Sequence, residues 1–115
     1  MENNNSQKMC DKYEVSPVLG ETEYRSDFHP TVEPMLSANY KKRFVAEYMQ
    51  TKIRYEKLKD FCNRIEASEL TGTEAPKHDC PICLLRQQQR AMGEYLHYLE
   101  IRAIIENIDL KKFPT

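Results

Sequence analysis

Four side chains carry the metal chemistry this sequence could support: Cys62, His78, Cys80 and Cys83. The last three fall in the run HDCPIC, and two thiolates with an imidazole are preferred structural ligands of zinc. A tetrahedral site needs a fourth ligand. Cys62 supplies it if the element that carries it packs beside the one beginning near Cys80. The opposing reading is a set of free thiols. The sequence has no second paired-ligand motif, and cysteine commonly behaves as a small buried hydrophobe. We adopt the metal-free reading, with no cofactor, and keep a zinc-stabilised helical module as the alternative. Thioredoxin-like redox chemistry needs a strand–helix–strand context that the pattern around Cys80 and Cys83 lacks.

A second chemistry-bearing group is cationic. Lys41, Lys42, Arg43, Lys52, Arg54, Lys57, Lys59 and Arg64 form the densest positive run, with Tyr40, Tyr48 and Tyr55 interleaved. Charge and aromatic stacking together can grip an anionic nucleotide. Arg43, Arg54 and Lys57 are the candidate ligand-binding residues. The competing reading is a solvated helix face, since Tyr48 and Tyr55 are also needed for packing. No catalytic residue is assigned: the sequence holds no nucleophile–base constellation, phosphate-binding glycine loop or dinucleotide fingerprint. The expectation is a protein that is not an enzyme.

These residues are positioned by two heptad-bearing segments. In the first, Phe44, Tyr48, Thr51, Tyr55, Leu58, Cys62 and Ile65 keep a four–three spacing; in the second, Ile82, Leu85, Gln89, Met92, Leu96, Leu99 and Ala103 do the same. Such spacing holds one helical seam against a partner over many turns. The predicted architecture is all-α: an antiparallel two-helix hairpin of about residues 39–67 and 81–107, each helix roughly 40 Å long at 1.5 Å per residue. Ser37 or Asn39 caps the first helix, and Pro81 suits the first position of the second behind Cys80 or Asp79. Gly72 and Pro76 break the chain between them. A turn near residue 73 sets Phe44 against Ala103, Tyr48 against Leu99, Tyr55 against Met92 and Cys62 against Leu85.

Each helix has a second apolar row beside its seam: Val45, Met49 and Ile53 on one, Tyr95, Tyr98 and Ile105 on the other. A two-helix hairpin cannot cover both, so these six are the candidate interface. The expected outcome is self-association into an oligomeric helical bundle. The other way to cover a row is for the N-terminal segment to fold back over it. Residues 1–36 are acidic, with a net charge of -4 against +3 for residues 37–115, and Pro17, Pro30 and Pro34 interrupt any helix there. The domain reading is a largely disordered or loosely docked tail, 1–36, and a helical hairpin domain, 37–115. The overall charge of -1 is too balanced for a nucleic-acid binder. No run of apolar residues is long enough for a membrane span, and the polar start, MENNNSQKMC, lacks a signal-peptide core, so a cytoplasmic location is expected.

Three motifs carry a family resemblance: Tyr-x-x-Arg-Phe-x-Ala-Glu-Tyr at Tyr40–Tyr48, Cys-Pro-x-x-Leu-Leu at Cys80–Leu85, and Met-x-x-Tyr-Leu-x-x-Leu-Glu-x-Arg-Ala at Met92–Ala103. Over about residues 39–110 the chain resembles a group of small helical proteins of unassigned function from phages and prophages of Gram-positive bacteria. Cys83 departs from their pattern, which counts against the zinc reading. The resemblance implies a phage-type accessory protein in the host cytoplasm, without known catalytic residues. The first functional expectation is therefore a non-enzymatic protein that binds and inhibits or modulates a host protein. The alternative from another class is an oligomer that sequesters an anionic nucleotide signal of host defence.

Overall fold

A computed structural model describes residues 27–115. Among these residues the fold is all-helical, with no strand: α1 (His29–Met35), α2 (Tyr40–Thr71) and α3 (Ile82–Glu106). The acidic stretch before Asp27, and with it the reading of that part as a tail, lies outside the described residues.

α2 begins where an asparagine can cap it. The Asn39 side chain accepts from the Lys41 backbone N–H at 2.9 Å, satisfying one of the donors a helix start leaves free. The helix runs four residues past the expected end at 67 because Ser68 turns inward, its hydroxyl donating to the Ile65 carbonyl at 2.7 Å. It stops at Gly72, which takes the left-handed conformation (φ 73°), while Thr73 N–H closes on the Ser68 carbonyl.

α3 starts one residue later than expected. Pro81 is the cap itself, extended and without a side-chain cap bond, and its carbonyl accepts from Leu84 and Leu85. At the far end Asn107 turns left-handed (φ 59°), and Ile108 N–H reaches back to the Ala103 carbonyl at 2.8 Å. This paired closure drops Ile108 into the core, where such motifs usually place an apolar side chain. The chain then turns back, and Leu110 and Phe113 pack on the same cluster.

The two long helices pack in opposite chain directions. The Tyr40 hydroxyl meets Glu106, Tyr48 meets Glu100, Tyr55 lies over Gly93, and Arg86 reaches Asn63 and Glu66. Every residue of the two heptad seams is buried or half-buried. Phe44, Tyr48, Leu96, Leu99 and Ala103 form the centre, with bulky Phe44 and small Ala103 in the same cluster. Gly93 serves this packing directly: a Cβ there would stand 3.2 Å from the Tyr55 ring. At the loop end Arg86 clamps both helices, pairing with Glu66 at 2.7 Å and donating to Asn63 and Gln89. The hydrogen bond from Arg86 holds the Glu66 carboxyl below its ordinary range.

α1 is a helix where the prolines were expected to forbid one. Pro30 sits at the helix start, where a missing N–H costs nothing, and Pro34 forfeits only one bond in a seven-residue helix. Tertiary contact supplies the rest. Thr31 is fully buried; its hydroxyl donates to the Phe28 carbonyl at 2.6 Å and accepts from the Gln50 amide at 2.7 Å. Ala46, on α2 four residues before Gln50, is also fully buried.

Gly72→Ala tests the α2 stop. No atom blocks a Cβ there, so the expected loss of about 1–2 kcal/mol comes from the left-handed backbone alone. Urea titration followed by helical circular dichroism measures it, and an unchanged midpoint contradicts the account.

Candidate functional site

Two rows of side chains on α2, spaced by four, look toward α1: Tyr48, Lys52 and Glu56, and beside them Met49, Ile53 and Lys57. Four-residue spacing stacks such side chains one turn above another on one face. α1 closes one side with Pro30 and Thr31, and Asp27 precedes it. Glu100 of α3 and the returning C-terminal segment, through Leu110 and Lys111, form the opposite wall. The result is a groove of about 690 Å³, within the range of small-molecule sites.

Its floor is apolar and its rim is charged. Met49, Ile53, Leu110 and the Tyr48 ring make the floor. Lys52, Lys57 and Lys111 are the cations of the rim, and Asp27, Glu56 and Glu100 the carboxylates. Lys52 places its ammonium 5.9 Å from the Tyr48 ring centroid. Lys57 pairs with Asp27 at 3.6 Å, and both side chains stay more than 60% exposed, so water screens the pair and a ligand can displace it cheaply. The Tyr48 hydroxyl donates to Glu100 at 2.7 Å. Burial, followed by that hydrogen bond to a carboxylate, pushes the Tyr48 phenol up to about 12. Tyr48 therefore presents a neutral ring and a fixed hydroxyl at any physiological pH.

The candidate ligand residues from the sequence are not one site. Lys57 stands on the rim, but Arg54 lies over the Phe28 ring at 5.1 Å, outside the groove lining. Arg43 donates to the Ser37 carbonyl at 2.7 Å. Fourteen residues separate Arg43 from Lys57, about 21 Å along the helix, too far for one small ligand within a subunit. The sequence reading passed over Lys52 as a binder and missed Lys111 entirely. The four-residue rows on α2 were there to be read, but nothing in the periodicity announced that the segment after Asn107 returns to the groove.

Two further expectations change. Val45 is not an interface residue: it is completely buried inside the subunit, in the cluster with Phe44 and Tyr48. Met49 and Ile53 are half-buried, because α1 and the C-terminal segment flank that row. The α3 row keeps its exposure, with Tyr95 at 43%, Tyr98 at 59% and Ile105 at 72%, and Ile101 and Ile104 add to it. Tyr95 is tethered at its tip, its hydroxyl donating to Glu47.

The zinc set does not assemble. Cys62 is buried on the seam, whereas Cys80 and Cys83 are exposed. The His78 ring is engaged with the Pro76 carbonyl at 2.8 Å and stands edge-on to Phe61. Among the described residues no cluster of three or more His, Cys, Asp or Glu side chains is placed to hold a metal ion. No helix of the described residues is long and apolar enough to cross a membrane.

Tyr48 gives a pH test. Its folded-state pKa lies above the unfolded value of about 10, so its contribution is whole below pH 10 and is lost as pH rises toward 12. Denaturation midpoints between pH 9 and 12 should fall, and Tyr48→Phe should flatten part of that fall. An identical pH profile for the variant contradicts the assignment.

Neither a curated protein nor a solved structure matches the chain. A protein-family model does match, over residues 38–105, which takes in all of α2 with the whole of the groove's α2 wall, and nearly all of α3. That span exceeds half of the chain, and the protein therefore belongs to the Sequestin family.

Proposed function

We propose that this protein is a non-enzymatic, phage-type accessory protein that sequesters an anionic nucleotide signal in the groove between α1, α2 and the C-terminal segment. The observation that carries the reading is the groove itself: an apolar floor with a tyrosine ring, bordered by Lys52, Lys57 and Lys111 and, between them, by the carboxylates Asp27, Glu56 and Glu100. A nucleobase can lie on such a floor, and lysine ammonium groups can neutralise its phosphates. The family's name, Sequestin, hints at holding a ligand or a partner, which is compatible with this role. Sequestration needs tight binding and no chemical step, so it asks nothing of a catalytic constellation. In the same reading the α2–α3 pair acts as a hairpin unit that self-associates into a helical bundle in the cytoplasm of a bacterial host.

A second reading, binding and inhibition of a host protein, draws on exposed apolar side chains away from the groove, chiefly Leu36, Leu70 and Ile104. The two readings differ in what stabilises the protein. A nucleotide at a hundredfold excess over its Kd adds about 2.7 kcal/mol, enough to raise Tm by several degrees. Thermal unfolding against a panel of cyclic nucleotides should show that rise, and Lys52→Gln with Lys111→Gln should abolish it while lowering the ligand-free Tm by less than the ligand's own rise. A flat profile across the panel, with a bacterial protein retained on the immobilised chain through Leu36 and Leu70, would favour the second reading.

A further inference from the structure

α3 carries a second seven-residue repeat on the side away from the core: Leu84, Ala91, Tyr98 and Ile105. At 100° per residue these four share one row that drifts by about 20° per repeat, about 60° in all, over about 32 Å of helix. All four are exposed; Leu84 is 51%, Tyr98 59% and Ile105 72% accessible. None of the four belongs to the core cluster; the His97 ring lies 6.0 Å from that of Tyr98, and Leu96, Leu99 and Ala103 face the opposite way into the core.

The row is self-complementary. We infer that it is the contact between two copies of this chain, packed antiparallel about a two-fold axis between Glu94 and Tyr95. That register sets small Ala91 against bulky Tyr98 of the second copy and Leu84 against its Ile105, each pair occurring twice. A parallel arrangement would instead stack Ala91 on Ala91 and leave a void. An antiparallel register centred on Tyr98 would leave Leu84 uncovered. Symmetry brings the two Glu94 carboxylates near each other, but Arg90 lies one turn away on the same edge of each helix. The edge therefore reads Arg90, Glu94, Glu94, Arg90. A solvent-screened like-charge contact flanked by cations costs less than burying two Leu84–Ile105 pairs returns. On the other edge the two Tyr95 rings meet, each held by its bond to Glu47. Glu100, the α3 residue of the groove, lies on the far side of the helix from Tyr98, so pairing leaves the groove open.

This inference rests on the reading that the subunit self-associates, and the experiment separates the two. Sedimentation of the full chain from 5 to 200 µM should show a monomer–dimer equilibrium. Ile105→Glu, with Leu84→Lys as a second variant should the first misfold, should shift the protein to monomer at unchanged helical circular dichroism. With Cys10, Cys80 and Cys83 replaced by serine, Glu94→Cys should form a disulfide-linked dimer under mild oxidation. A wild-type dimer that survives the folded variants, or that links through Tyr98→Cys and not Glu94→Cys, overturns the register while self-association stands. A wild-type monomer at 200 µM overturns both.

Discussion

Burial of one seam between α2 and α3 is the constraint on which the other contacts depend. Helices of 32 and 25 residues gain little from propensity in water; packing of an apolar face supplies their stability. Phe44, Tyr48, Leu96, Leu99 and Ala103 provide that packing at one end, and Cys62 and Ile65 continue it toward the loop. The other elements build on it. α1 lies on α2 beside this seam, through Thr31 and Gln50. The segment after α3 returns because Ile108 enters the same cluster. The groove exists because two short pieces flank a helix that a third element already holds straight.

One tyrosine shows how closely structure and site are joined. Tyr48 belongs to the core by its ring, bonds α3 through Glu100, and forms part of the groove floor. Its neighbours divide the work differently. Met49 and Ile53 trade burial for access to the groove, while Lys52 sets its charge over the Tyr48 ring without leaving solvent. A ligand on this floor would therefore touch the same side chain that joins the two helices, so occupancy and helix packing are energetically coupled.

What the sequence made legible follows the range of the forces involved. The two seams are strictly periodic and the caps are local, so residue order exposes the seams and narrows the start to Ser37 or Asn39; it marks Gly72 only as a breaker and ends the helix four residues early. α1 was hidden because its stability is tertiary: two prolines in seven residues argue against a helix, and the buried Thr31–Gln50 bond that answers them joins residues nineteen apart. Lys111 was hidden for a similar reason. Its position depends on Asn107 turning left-handed and Ile108 finding the core, an outcome decided by one backbone angle rather than by any pattern. Val45 was misread because a flanking row looks exposed when only two helices are considered. The grouping of Arg43 with Lys57 failed on distance, since one helix face can share charge without bringing it together.

The clamp at Arg86 has a consequence for how this fold can change. It joins Glu66 and Asn63 on one helix to Gln89 on the other, so it fixes the helix register from within the helices. The segment from Thr73 to Pro81 is left to span the gap, and most of it is exposed. Doubling the length of a flexible connection costs only about 0.6 kcal/mol in closure entropy. The connection is thus free to accept inserted sequence during divergence, and it offers a place where a tag or a second module can be grafted without disturbing the seam or the groove.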